Sequence, residues 1–467
     1  MPLLPSLCAA LLLAPGAPSQ DAARNTANPP TAPAPAQGVD RSIDPRIDPR
    51  IDASRVTTLP APAIEGSVAP VRTDAPPAVL RIAADAGDVG LEKDAFAKAE
   101  RAISAGLAAL ARMQTSRGTW FEKEEVAPTD MEPRKRASSV AVTAMALKAF
   151  AQAPRLGDVQ TAERARRAVD AVLADPAALA LVRDGGIGNY VMSAVASGLA
   201  AVGDADARSA SMRAIRWLSE AQWDESEGVA KTADWYGGAG YGNGKRPDLS
   251  NTQIMLDAMH DAGVSTDDPA YARALAFLER TQNRKATNPA GWAQSGSGDG
   301  GFVYSGANGG ESFASDAAGE GRYGEKLAVK SLRSYGSMTY AGFKSLLYAG
   351  LSKDDPRVKD ALGWISLHFT FDENPGLGQQ GYYYYIHAMS RALHASRIDA
   401  LRDGSGRERR WRTELIDALV ARQREDGTWR NDVERWEESN ETLATVYCVL
   451  ALEEAIKPRT PAPATTE

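Results

Sequence analysis

Six times between residues 95 and 457 the chain repeats one unit: an amphipathic helical pattern, a Gly- and aromatic-rich loop, and a second, more apolar helical pattern. This repeat constrains the fold more than any single motif, because one such unit cannot bury its own apolar face and must stack on its neighbours. The first helices include AISAGLAALARMQ (102–114), SMRAIRWLSEAQ (211–222), YARALAFLERTQ (271–282), RVKDALGWISLHF (357–369) and WRTELIDALVARQ (411–423), with a weaker one near 161–174. Four of them close on a glutamine: Gln114, Gln222, Gln282 and Gln423. The loops that follow share one vocabulary: SRGTW, DGGIGNY, GGAGYGNG, GDGGFVY, GQQGYYYY and EDGTW. Glycine there permits tight turns, and the aromatic residue plugs the layer beneath.

The second helices lie near 138–153, 191–203, 250–263, 337–350, 382–395 and 440–455. Four open on Ser or Asn, natural N-caps. They are Ala-rich, poor in charge and apolar on most faces, as befits helices buried between an outer ring and a central cavity. The expected fold class is all-α: an α/α toroid of about six helix pairs, the second helices forming the inner ring and the first helices the outer one. An open solenoid is the alternative.

The repeated Gln, then Asp-Gly-Gly or Asp-Gly-Thr with an aromatic, then a Ser/Thr-led apolar helix resembles the prenyltransferase/squalene-oxidase repeat. That resemblance covers most of 95–457 and implies the α/α toroid of squalene–hopene cyclases and protein prenyltransferase β subunits. RPDLSNTQ (246–253), LRSYGSMTYAGFKSLLYAGLSKDDPRV (332–358) and DENPGLGQQGYYYYIHAMSRAL (372–393) look like an exported bacterial branch of the superfamily. The function it implies is a terpene-cyclase-like or prenyltransferase-like protein that holds an apolar isoprenoid or other lipid in its central cavity. If the chain is an enzyme, the resemblance implies a cyclase-like isomerase.

The family's catalytic motifs are another matter. Cyclases of this type protonate an alkene with an Asp-x-Asp-Asp acid, and no such string occurs. The nearest are STDDP (265–269) and SKDDP (352–356), each with Ser in place of the first Asp, and both read as acidic N-caps followed by Pro at the first helical position. Prenyltransferases hold zinc with Asp, Cys and His; here Val446 stands two positions before Cys448, where their pattern has Asp. Cys448 reads as a small buried apolar residue. The Gly-Cys-Gly-Glu-Gln of thioester domains is also absent. No cofactor and no metal is expected.

Outside the repeats the composition changes. Residues 1–19 carry a short apolar run and then small residues and proline, the form of a secretory signal peptide, although no Lys or Arg precedes Arg24. Residues 20–91 are rich in Pro, Ala and Asp and read as a disordered linker; 92–457 form the toroid, and 458–467 a disordered tail. The expected location is export to the periplasm, cell envelope or medium. No apolar run reaches the roughly 18 residues a membrane span needs. With a net charge of −7 there is no basic surface for nucleic acid. The expected partner is an apolar small molecule or lipid.

The N-termini of the inner helices are expected to converge on one mouth of the ring. Asp248 there reads either as a helix cap or as a general acid over the cavity. His387 follows Tyr383 by one turn, so the pair reads as a proton shuttle or a structural hydrogen bond. Asn251, Gln253, Tyr340 and Glu441 are further pocket candidates. Arg333 and Tyr335 precede an inner helix, where an anionic group could bind. Asp372 and Glu373 read as an acid–base pair or a solvated loop. Tyr382 to Tyr385 point in directions 100° apart, so only one or two, Tyr384 with Tyr383, are expected at the cavity. Glu437 and Glu438 read as surface residues, with Trp436 beside them a candidate for packing on a ligand. The long Gly-rich insertion 286–336 reads as a lid or a surface loop. Two other functions fit the text. One is a non-catalytic envelope scaffold. The other is a carbohydrate-active barrel, which needs two carboxylates across a cleft: Asp248 with Asp372 or Glu373.

Overall fold

The computed structural model describes residues 81–242, 244–314 and 331–458. Residues 1–80, which include the stretch read as a signal and most of that read as a linker, residues 315–330 of the insertion and residues 459–467 lie outside the described residues. Fourteen helices are described: α1 (Lys93–Met113), α2 (Pro133–Gln152), α3 (Val159–Ala174), α4 (Pro176–Asp184), α5 (Gly188–Val202), α6 (Ala205–Glu220), α7 (Leu249–Asp261), α8 (Pro269–Thr281), α9 (Gly291–Gln294), α10 (Gly336–Tyr348), α11 (Pro356–Leu367), α12 (Tyr382–Ser396), α13 (Trp411–Val420) and α14 (Glu441–Ala455). A short antiparallel hairpin, Leu401–Arg402 with Glu408–Arg409, precedes α13.

The inner ring runs α2, α5, α7, α10, α12, α14, each packed on the next, and α14 packs on α2. The ring is therefore closed, and the open solenoid is set aside. Helices α1, α3, α6, α8, α11 and α13 surround it, with α1 touching both α13 and α14. The fold is the all-α, α/α toroid.

The repeated glutamine shows how sequence becomes closure. In each case its Nε2 donates to the carbonyl of a loop glycine and to a carbonyl of the next outer helix. Gln114 reaches Gly118 and Thr161, Gln222 reaches Gly237 and Ala270, and Gln282 reaches Gly300 and Arg357. Gln423 reaches Gly427 and then Ala102, so the sixth unit bonds to the first with the same device. A threonine of the inner helix completes each stitch. Thr143, Thr252, Thr339 and Thr445 accept from the loop N–H groups of Trp120, Ala239, Phe302 and Trp429. Gln423→Ala leaves two carbonyls unserved at the seam and is expected to cost about 2 kcal/mol, from two bonds at roughly 1 kcal/mol each; urea unfolding measures it.

The acidic N-caps stand as expected. Asp268 accepts from Ala270 N–H and Asp355 from Arg357 N–H, with Pro269 and Pro356 opening α8 and α11. One boundary differs. Residues 81–91, assigned to the linker, are packed on the ring: Ile82 N–H donates to Gln152 O, Ala83 N–H to Ile456 O, and Val89 is fully buried. Low apolar content upstream masked a short strap that ties α2 to the end of α14.

Candidate functional site

The inner helices are parallel, so their N-termini form one mouth and their C-termini the other end. Helical period decides what lines the lumen. On α7, Ser250, Gln253, Asp257 and Asp261 recur every three or four residues; on α12, Tyr384, His387 and Arg391 do the same. These stripes meet across the ring. The Tyr384 hydroxyl lies 2.8 Å from Ser250 Oγ and accepts from Gln253 Nε2 at 3.0 Å, and Ser250 Oγ lies 2.7 Å from the Tyr190 hydroxyl of α5.

Below this layer the lumen is ionic, where charge-poor inner helices led to an apolar cavity. Lys344 Nζ donates to Asp257 and Gln253, both at 2.7 Å. Arg391 bridges Asp257 (3.3 Å), Asp261 (2.9 Å) and Glu454 (3.3 Å), and Lys148 meets Asp261 at 2.5 Å. Burial alone would raise Asp261 and Glu454, but Arg391 with Lys148, and Lys457 with Arg391, hold them well below the usual range. Few charges occur on these helices because each must find a partner across the ring.

At the mouth, Asp248 caps α7. Its carboxylate accepts from Asn251 N–H and Asn251 Nδ2, both at 2.8 Å, while Asn189 Nδ2 donates to Asn251. Asp248 is 1% exposed. Burial pushes its carboxyl up to about 6, against the Asn251 bonds, Arg246 and the Tyr304 hydroxyl. Above it the aromatic rings join into an arch. Tyr190 lies 5.8 Å from Tyr241, whose hydroxyl meets that of Tyr304 at 2.9 Å; Tyr304 lies 4.4 Å from Phe313, and Phe313 5.8 Å from Trp436. Arg435 covers both Phe313 and Trp436. The arch thus runs from the second unit to the sixth.

Glu438, read as a surface residue, is fully buried. It accepts from the N–H groups of Tyr383 (3.1 Å) and Tyr384 (2.7 Å), and so caps α12 from the neighbouring unit. Burial pushes it up to about 7. Glu438 supplies the cap that α12 lacks: its N-cap Gly381 sits at φ 64° with no side-chain cap bond, and a Cβ there would strike Trp436 at 2.7 Å. Trp436 and Glu437 both hold left-handed backbone (φ 64° and 62°), costing on the order of 1–3 kcal/mol each.

The four tyrosines separate. Only Tyr384 enters the lumen. The hydroxyls of Tyr382 and Tyr385 donate to Phe371 O and Thr370 O, and that of Tyr383 to Arg430 O at 3.4 Å, so Tyr383 packs between units instead of facing the cavity. Among the described residues no hydrogen bond joins it to His387, whose ring lies 5.5 Å from Tyr447. Tyr340 packs edge-on to Tyr385 at 5.6 Å. Tyr335 stands at the N-cap of α10, its backbone carbonyl accepting from Thr339 Oγ1, and its ring is buried within reach of the charges of Asp248 and Glu311. Arg333 is partly exposed, and its carbonyl accepts from Ser312 Oγ. Glu441 pairs with Arg424 on the outside of the loop. Asp372 is exposed beside Thr370, whereas Glu373 is buried; Asp372 and Asp248 share no hydrogen-bond partner. The structure therefore gathers Asp248, Asn251, Gln253, Tyr335 and Tyr384 at one mouth, and puts Tyr340, Tyr383, Asp372 and Glu441 elsewhere. Among the described residues, no group of three His, Cys, Asp or Glu could hold a metal ion, and no helix is long and apolar enough to cross a membrane.

The buried cap makes a pH prediction. The folded carboxyl of Asp248 lies at about 6 against its ordinary 3.8, so the native state holds the extra proton between those values. The stability it contributes is full below about pH 4 and is lost as pH rises through 6, by about 3 kcal/mol. Asp248→Asn keeps a capping side chain and no longer titrates. Its stability relative to the wild type is expected to climb by about that amount between pH 4 and 7 and then level off, as read by urea unfolding at each pH; a constant difference would mean that the carboxylate is solvated.

No family model matches the chain, and no curated protein matches it. Among solved structures, the type II terpene cyclase MstE from Scytonema is 15% identical over 77% of this chain and 98% of its own, with a TM-score of 0.41. MstE is also solved with its substrate geranylgeranyl dihydroxybenzoate. The α-1,6-mannanase GH76A from Salegentibacter sp. HEL1_6 is 10% identical over 76% of this chain and 98% of its own, at 0.45. A protein from Actinoplanes is 12% identical over 76% and 99%, at 0.32. The ring stands on its own helix contacts, and scores at this level add nothing to it.

Proposed function

We propose that this chain is an exported binding protein that takes an apolar ligand, an isoprenoid or another lipid, at the inner-helix N-terminal mouth. The aromatic arch carries the reading. Five rings from units two to six follow one another in a chain of tilted ring contacts and one hydroxyl–hydroxyl bond, and Trp436 holds its place there at the expense of left-handed backbone. Aromatic faces of this extent suit a flat or branched hydrocarbon.

Binding is favoured over cyclisation by acid strength. Alkene protonation needs a carboxyl far more acidic than usual, and burial moves Asp248 the other way, to about 6. Beneath Tyr384 the inner helices carry the ion pairs of Lys344, Arg391, Asp257 and Asp261, a polar environment for a hydrocarbon chain.

The test is tryptophan fluorescence of the mature chain titrated with farnesol and geranylgeraniol in detergent micelles. Saturable quenching is expected, weakened about tenfold, or 1.4 kcal/mol, by Trp436→Ala. Flat titrations with no shift in melting temperature would overturn the reading and leave the envelope scaffold ahead. A mature N-terminus near Gln20 in protein from its own cells tests export.

A further inference from the structure

Followed from Val89 towards the N-terminus, the strap runs into a groove. Ala83 N–H donates to Ile456 O at the end of α14 (2.8 Å), Ile82 N–H to Gln152 O at the end of α2 (3.1 Å), and the Arg81 guanidinium to Ala151 O. The backbone therefore leaves α14, crosses α2 and arrives, at Arg81, on the lip of a cavity of about 380 Å³ between α2, α3 and α5. The cavity lies at the C-terminal ends of the inner helices, opposite the aromatic mouth.

Phe150 closes the floor of this groove, and Ala151, Pro154, Val159, Ala162 and Val202 leave apolar surface open on its walls. Val159 is 60% exposed at the first position of α3. A single exposed apolar side chain is ordinary, but this one borders a concave apolar wall. The rim holds three arginines and three carboxylates and so presents no net charge. Those carboxylates are already engaged. Asp158 accepts from Thr161 N–H and caps α3, Asp204 accepts from Ala207 N–H and pairs with Arg166 at 3.2 Å, and Glu163 lies 3.9 Å from Arg167. A groove of this kind suits an uncharged, apolar occupant better than an ion.

Such an occupant is already attached. The residues before Arg81 are Ala75-Pro76-Pro77-Ala78-Val79-Leu80, an uncharged stretch that begins just after Arg72 and Asp74. Leu80 is one peptide bond from the lip of the cavity, and six residues span at most about 20 Å, so the whole stretch stays within reach of the walls. Pro76 and Pro77 have no N–H, so they can lie on an apolar wall without burying an unpaired donor. Their fixed φ also lowers the cost of ordering the segment.

We propose that residues 75–80 dock in this groove, with Val79 and Leu80 against Phe150, Val159 and Val202. The contact sets where the upstream chain departs: from the end of the ring opposite the arch, leaving the mouth clear. It is independent of what the mouth binds.

Hydrogen–deuterium exchange of the full-length chain reads this contact. The amides of Ala78, Val79 and Leu80 are expected to exchange at least about tenfold more slowly than in a free peptide of residues 70–82, at every protein concentration. Val159→Asp puts a charge on the wall and is expected to return them to the free-peptide rate while α7 and α12 stay protected. Leu80→Asp, which changes no residue of the ring, is expected to free Ala78 in the same way and decides the matter if Val159→Asp fails to fold. Free-peptide rates in the wild type, or protection that survives Leu80→Asp, overturn the proposal. Protection that fades on dilution also overturns it and gives the groove to a second copy; free exchange together with a co-purifying apolar molecule that Val159→Asp releases gives it to a small ligand.

Discussion

Arg391→Met is expected to lower the unfolding free energy by about 3–5 kcal/mol, the range for removing one partner from a buried ion pair. Arg391 is 3% exposed and serves three carboxylates from two other inner helices, plus the Tyr348 hydroxyl. Each carboxylate keeps one lysine when it goes: Lys344 for Asp257, Lys148 for Asp261, Lys457 for Glu454. But the cation that links them across the lumen is lost, and methionine fills the volume without a charge. Lys98→Met is the contrast. Its pair with Asp417 is roughly half exposed on both sides and is expected to be worth less than about 1 kcal/mol. Denaturant unfolding measures both. A loss below about 1 kcal/mol for Arg391→Met would mean that water fills the lumen floor and screens the network.

Gly237→Ala carries the other large effect. Gly237 sits at φ 80°, and a Cβ there would lie 1.8 Å from the carbonyl oxygen of Arg273 on α8. Left-handed backbone costs an L-residue roughly 1–2 kcal/mol, and forcing an extra carbon into a packed contact a further 1–3 kcal/mol. The sum is about 3 kcal/mol or more. The oxygen cannot retreat, because Gln222 ties this same loop to α8. Gly228→Ala isolates the backbone part: φ is 75° and nothing lies within 4 Å, so about 1–2 kcal/mol is expected. Equal losses in the two variants would show that the loop stands off from α8.

The same comparison explains what the sequence reveals. Gln222, Gly237 and Thr252 each act within one unit or between neighbours, and they recur in the other units, so repetition makes them legible. Asp268 and Asp355 are legible because capping is local chemistry. The lumen is harder to read. Lys148, Lys344 and Arg391 occur singly in Ala-rich helices, and their partners lie 63 to 134 residues away. The available signal is that a lone charge inside an apolar helix must be paired, which marks them as lumen residues without naming the mate. Glu438 was missed for a related reason. It sits in a charged stretch, ERWEES, that looks solvated, and only the ring brings it over the bare N-terminus of α12. Tyr383 and Tyr340 fail as pocket residues because period tells which face a side chain takes, while the neighbour on that face is set by the closure.

That closure, in which Gln423 reaches Ala102 and Ala83 reaches Ile456, has a consequence for how the molecule comes apart. In a linear stack of repeats the outermost units have one neighbour, and they melt first and alone. Here every unit has two, and no unit is outermost. Partial opening has no preferred starting point, and losing any one unit exposes both of its neighbours. A closed ring of this kind is expected to unfold as a whole, without the fraying from an end that a linear stack shows.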